Sequence, residues 1–358
     1  MVVTTNLSNG SSIQKNFSFY MFCSLLDLSF PVKTTSALVF SIILLTSLVG
    51  NTLIIIIVYN RPELRKTVNY FIVNMAVSDF VLPLASIPVR ITEIATDSLQ
   101  WHIDGTVGVI LCKLHVFMER VSVIVSVQSL VWIAFDRFVA VVFPMKVYLI
   151  SSRFRAFAIA STWIVGIASK SLDLYMAELI ETGTGVICKQ YINTPTFSFS
   201  DYLTVHTAIF QIAPLILMTF LYGIIALTLR RQKRMFRCKE VHRRFRRKEG
   251  AIRMTSCIMA AFYICVLPKV LWIFLLLFEY EDSCSFYRGF MFSTYLMFYL
   301  SSTINPIICM TFVDSYRRGL REILKSCLNQ SDQCTATRNT ETCQQEEITL
   351  QRIRTITL

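Results

Sequence analysis

Seven long apolar runs constrain this chain more than any other feature: Thr35–Tyr59, Tyr70–Ile91, Gly108–Val142, Phe154–Leu174, Tyr202–Leu229, Ala251–Phe278 and Phe286–Thr311. Each reaches the roughly 20 predominantly apolar residues that a helix needs to cross a bilayer. Runs this long read as helices, not as the strands of a membrane barrel. Composition agrees, at 54% hydrophobic and only 16% charged, far from a soluble domain. The expected fold class is an all-α membrane protein: a seven-transmembrane helix bundle with a C-terminal amphipathic helix. The expected segments are an extracellular glycosylated tail at 1–34, the bundle at 35–311, a membrane-surface helix at 312–327 and a disordered cytoplasmic tail at 328–358. No cleavable signal peptide is expected, because Asp27 interrupts the apolar stretch Phe17–Phe30 that follows Lys15.

The net charge of +12 could suggest nucleic acid, but its distribution points to a bilayer. Basic residues crowd the loops after odd-numbered runs: Arg61, Arg65 and Lys66; Lys146, Arg153 and Arg155; and a dense stretch from Arg230 to Arg253. The alternate loops are acidic, with Glu93, Asp97, Asp104, Glu178, Glu181, Asp201, Glu279, Glu281 and Asp282. Positive loops stay cytoplasmic, so the N-terminus is expected outside and the C-terminus inside a plasma membrane. Sequons at Asn6, Asn9 and Asn16 fall in the tail assigned outside. Topology also sorts the eleven cysteines. Cys23, Cys112, Cys188 and Cys284 fall outside, where disulfides persist.

Polar groups within the runs mark where chemistry is expected. Asn51 and Asn74 need interhelical partners. Asp79, a carboxylate near mid-membrane, is a functional candidate by default. The third run begins at Cys112 and ends in Asp136-Arg137-Phe138, an acid–arginine pair at a helix foot. Between the fourth and fifth runs, Gly183-Thr-Gly185 is a turn signal between two β-prone arms, which suggests a hairpin. A Cys112–Cys188 bridge would pin that hairpin over the mouth of the bundle. Pro214 removes a backbone donor and is expected to kink or bulge the fifth helix. Phe312 to Leu324 sets Tyr316, Leu320 and Ile323 against Arg317, Arg318 and Arg321, an amphipathic pattern for the membrane surface. Cys327 follows it as a palmitoylation candidate.

Taken in order, these residues resemble the rhodopsin-like family of G-protein-coupled receptors. The resemblance rests on Gly50-Asn51, Asn74 to Asp79, Trp101 before Cys112, Asp136-Arg137-Phe138, Trp163, Cys188, Pro214 with Tyr222, Phe262 with Pro268, and Asn305-Pro306. It implies a receptor, not an enzyme, with a heterotrimeric G protein and arrestin as partners beside the lipid bilayer. It further implies an allosteric sodium site at Asp79, Ser126, Ser302 and Asn305, and no other cofactor. Coupling would fall to Asp136, Arg137, Met145 and Tyr222, with Arg137 swinging from Asp136 toward Tyr222 on activation. Val266 stands where the family usually carries Trp, and Cys309 where it carries Tyr. Lys248 falls where an acid often restrains the helix-three arginine, so a weak inner lock and raised basal signalling are expected.

The ligand residues expected from this resemblance are Glu119, Gln211, Trp272 and Tyr299. Glu119 lies two turns below Cys112, where amine receptors place an acid. A biogenic amine with Glu119 as counter-ion is therefore one reading. The other is a basic, amidated neuropeptide, loosely of the Arg-Phe-amide or neuropeptide-Y-like kind, drawn in by the acidic outer loops. The long loop 175–201 and the missing fifth-helix serines favour the peptide. A second outer disulfide, Cys23 to Cys284, is a further expectation. An opsin is excluded because no Lys lies in the seventh run, and no internal repeat suggests a transporter.

Overall fold

The computed structural model describes residues 29–182, 185–190, 199–235, 239–277 and 284–326. Seven of its helices are long and apolar enough to span a membrane. They are α1 (Phe30–Asn60), α2 (Thr67–Thr96), α3 (Gly105–Val142), α4 (Ser152–Met176), α5, α6 (Lys239–Leu277) and α7 (Cys284–Phe312). Helix α5 is continuous through Phe199–Thr207, a π-turn at Ala208–Ile212 and Ala213–Met235. The π-turn directly precedes Pro214. A proline cannot donate to the carbonyl one turn back, so the wider turn there accommodates the missing bond.

Local chemistry sets the helix ends. Pro31 sits in the first turn of α1, where a missing N–H loses no helical bond. Arg61 precedes Pro62 and is driven to an extended φ/ψ of −114°/99°, which ends α1. Asp97 closes α2 in a left-handed conformation at φ 47°. Ser151 caps α4, its hydroxyl accepting from the Phe154 N–H at 3.2 Å. After α7 the helix is interrupted at Val313 and resumes at 314–326. Arg317 donates to Asp314 there and holds that exposed carboxyl below its usual range. Fully buried Tyr316 anchors this helix to the bundle, and burial pushes its phenol well above the usual range.

The expected hairpin consists of β1 (Ala177–Thr182) and β2 (Gly185–Gln190), antiparallel with Leu179 opposite Cys188. Cys188 is disulfide-bonded to Cys112, the Cα atoms 5.7 Å apart. Gln100 forms a bridge with Ile187, and the Trp101 N–H donates to the Val186 carbonyl at 2.7 Å. The α2–α3 connection thus extends the hairpin, and both are tied to the top of α3.

Helix α3 is the axis of the bundle. It packs against α2, α4 and α5 along its length and meets α6 more sparsely, while α7 closes the ring against α1 and α2. Polarity is inverted relative to a water-soluble protein. Leu38, Leu45, Ile216, Phe220 and Ile264 lie exposed on the outer surface, whereas Asn51, Asn74, Asp79 and Asp136 are buried inside. Only hydrocarbon outside makes both placements favourable. Asn74 ties three helices together. It donates to Ser129 at 2.8 Å and Thr162 at 3.1 Å, and accepts from Trp163 Nε1 at 2.8 Å.

The expected features at Asn6, Asn9, Asn16, Cys23 and Cys327, and the tail 328–358, lie outside the described residues. So do the side chains of Lys248, Glu249 and Cys284.

Candidate ligand cavity and signalling centres

A cavity of about 490 Å³ opens beneath the hairpin. Residues from α2, α3, α4, α5, α6, α7 and β2 line it, which places it where six helices splay apart. Glu119, Gln211 and Trp272 all line it. Tyr299 does not. It is fully buried among Phe40, Leu82, Ile87 and Phe298, with the Phe40 ring 6.0 Å away, and so belongs to the packing between α1, α2 and α7. Its neighbour one turn up, Tyr295, lines the cavity instead. A tyrosine face turned toward α1 was not separable from one turned inward by helical spacing alone.

Glu119 is already engaged. Ser86 donates to its carboxylate at 2.8 Å, and Lys269 lies 3.7 Å away across the cavity floor. Lys269 also sits 3.5 Å over the ring of Phe298. Gln211 falls within the π-turn, its side-chain oxygen lacking a partner among the described residues. Trp272 packs on Phe290 with ring centroids 5.8 Å apart.

Most of the charge around this cavity belongs to residues without a sequence motif. Arg90 donates to Glu93 at 2.7 Å and stacks over Tyr295. Buried Asp173 accepts from Tyr202 and from Gln190, each at 3.1 Å, with Lys170 at 3.5 Å and Arg120 at 3.9 Å. Asp173 stands near the C-terminal end of α4 and belongs to no recognisable motif. Lys170, three residues before it and so on the same face of α4, was the signal available.

Deeper in the bundle Asp79 collects polar groups from three helices. Ser126 donates to its carboxylate at 2.7 Å, and Asn305 does so at 2.7 Å. Ser302 stands one step away. Its hydroxyl reaches Ser47 at 3.2 Å, and Ser47 donates to the Asp79 backbone carbonyl at 3.0 Å. At the far end Arg137 donates twice to Asp136, at 2.7 and 3.1 Å. Tyr222 packs nearby against Val141, Ile225 and Ile252, and Met145 stands exposed beyond them.

This arrangement has a counterpart among known proteins. The sequence model described as 7 transmembrane receptor (rhodopsin family) matches residues 50–308. The chain belongs to the rhodopsin family of seven-transmembrane receptors. It is 32% identical over 251 residues to a QRFP-like peptide receptor of Branchiostoma floridae, covering 68% of this chain and 64% of that receptor's length. It is 26% identical to a substance-P receptor of Aquarana catesbeiana, over 80% of this chain and 70% of that one. Against neuromedin-U receptor 2 of Mus musculus the identity is 25%, over 84% of this chain and 77% of that receptor.

As a family member this receptor departs from the pattern where the sequence indicated. Val266 is buried in the central apolar cluster, and Cys309 is fully buried beside it. Among the described residues, Arg137 has its own-helix neighbour Asp136 as its acidic partner.

Proposed function

We propose that this chain is a plasma-membrane receptor for an extracellular basic peptide, and that it activates a heterotrimeric G protein by opening the Arg137 end of the bundle. Family membership carries the receptor activity. The peptide rests on the names of the relatives and on a wide cavity, mostly apolar in its wall but set with charged groups, roofed by a pinned hairpin. The hairpin end faces outside in this reading, in keeping with a Cys112–Cys188 disulfide in an oxidising space and with basic residues gathered at the opposite end. Arrestin is proposed as a second partner at the Arg137 end. The bilayer surface is proposed for the helix 314–326.

An allosteric sodium ion fits the Asp79 centre. A carboxylate with the Ser126 and Ser78 hydroxyls, themselves 2.7 Å apart, offers a hard oxygen set. Asn305 would have to turn its amide oxygen inward, and Ser302 would join through Ser47. The amine reading is weaker, because an ammonium would have to displace Lys269 from Glu119.

The test is a library of synthetic basic peptides applied to cells expressing the full chain, read as nucleotide exchange on co-expressed G proteins. A saturable peptide response absent from Arg137→Ala supports the proposal. A response to amines and to no peptide refutes it.

A further inference from the structure

The charges lining the cavity do not balance. Four cations, Arg90, Arg120, Lys170 and Lys269, line it with two carboxylates, Glu93 and Glu119, and a third carboxylate, Asp173, is buried behind the wall within reach of Lys170 and Arg120. Arg90 pairs with Glu93 and Lys269 with Glu119. Asp173 alone serves both Lys170 and Arg120, at 3.5 and 3.9 Å. The close partner of Arg120 is neutral, the Gln190 side-chain oxygen at 2.7 Å. A guanidinium keeps its charge and offers five donors in a fixed fork, so most of its donors are left for another acceptor. His206 lies on the same cavity, 8% exposed and stacked on Phe210, its Nε2 without a partner among the described residues. The Arg120 side chain is 31% exposed on the cavity wall, so its remaining donors are open to a ligand that brings an anion.

The rim has the opposite sign. Asp104, Glu178, Glu181 and Asp201 are exposed on the hairpin and the helix ends on that side of the bundle, while Asp97 is taken by Lys33. A ligand that fits both layers is cationic where it meets the rim and anionic where it enters, with apolar groups for the largely apolar wall.

Resting on the peptide reading above, we propose that the cavity binds a carboxylate of the peptide. Arg120 is its principal partner, Lys269 and His206 flank it, and the acidic rim holds the peptide's basic residues. The carboxylate is an acidic side chain close to the inserted end or, in place of the amidated terminus expected from the sequence, a free C-terminus. Arg120 binds it by a charge-assisted fork, the geometry for which guanidinium is suited.

Two measurements on the full chain test this. In the first, the purified receptor in detergent is heated with millimolar N-acetylphenylalanine or its carboxamide. The acid is expected to raise the apparent Tm and the amide not. Arg120→Gln should weaken the acid's effect by about tenfold or more, as the loss of a hydrogen bond to a charged group implies. Arg120→Lys, which keeps the charge, should retain part of it, and Lys113→Gln, outside the cavity, all of it. Equal shifts from acid and amide, or no shift from either, overturn the proposal. If Arg120→Gln does not fold, the acid–amide comparison on the unaltered chain still decides. In the second, basic peptide pools with their carboxylates intact or converted to carboxamides are compared for G-protein activation. Activation by carboxamide pools as strong as by acid pools refutes the carboxylate site and leaves the peptide reading standing. Acid-selective stabilisation with no active peptide keeps the carboxylate site and removes the peptide reading.

Discussion

The ion pair between Glu119 on α3 and Lys269 on α6 is the interaction whose loss is most informative. At 3.7 Å, with an effective dielectric of about 20, two unit charges attract by about 4 kcal/mol before desolvation is subtracted. The side chains are only 12% and 25% exposed, so screening by solvent is partial. Removing one partner strands the other. Glu119→Gln leaves Lys269 beside Arg120 and Arg90 with no acid, at an expected cost of about 2–3 kcal/mol, the lower side of the range for a buried pair because Lys269 is partly open. Lys269→Met leaves Glu119 with the Ser86 hydroxyl and the more distant Arg90 and Arg120, at a cost no larger than that of Glu119→Gln. The double variant Glu119→Gln/Lys269→Met leaves neither charge and should lie within about 1 kcal/mol of the parent.

For a chain of this size about 2 °C of Tm accompanies each kcal/mol, so each single variant should lose about 4–6 °C and the double should stay within about 2 °C of the parent. Unfolding of such a protein is commonly irreversible, so the three variants and the parent must be scanned at one heating rate. Basal nucleotide exchange should rise in both single variants, since the pair ties α6 to α3 immediately beside Pro268. A double variant that loses as much as the two single losses combined would show that the charges are not coupled. Glu119 and Lys269 would then not act as a pair, and Glu119 would be open to a ligand cation.

Asn74→Ala removes the acceptor for Trp163 Nε1 and two donated bonds across α2, α3 and α4; about 2–3 kcal/mol should be lost, read as a lower apparent Tm, and Trp163→Phe should add little in that background. A Cβ at Gly319 would stand 2.7 Å from Cγ2 of fully buried Ile57, so Gly319→Ala should cost about 1–3 kcal/mol or lift the helix 314–326, seen as faster proteolysis of that segment. Cys112→Ser opens the bridge to Cys188 and should lower stability by about 2–4 kcal/mol and abolish peptide binding, measured on surface-expressed receptor. Basal exchange in cells expressing the unmodified chain should exceed that of vector controls, and equality with them would remove the weak inner lock expected from Lys248.

Helix number and approximate span were legible because hydrocarbon imposes one solution on long apolar runs. The ends were less so. Helix α6 begins at Lys239, twelve residues before the apolar run at Ala251, because α-helical geometry continues through charged sequence once the chain has left the bilayer. The hairpin was legible from Gly185, which adopts φ 134° and therefore needs glycine, and from β-prone arms on either side. The Asp79 centre was legible because a lone carboxylate in a membrane helix must find polar company. Ser47, which links Ser302 to it, was not, since a serine can satisfy itself on its own helix.

The cavity divides along the same line. Glu119, Gln211 and Trp272 could be found one at a time, by distance from a cysteine or a proline on the same helix. Their electrostatic meaning could not, because it depends on groups from α2, α3, α4 and α6 that share no spacing in sequence. Glu119 read alone is a free counter-ion awaiting a cation. Beside Lys269 at 3.7 Å it is half of a pair, and the unmatched charge moves to Arg120. Sequence signs the charges of a receptor pocket, but which one is left over is settled only when the helices are brought together. That remainder, not the most prominent single acid, is what a ligand must answer.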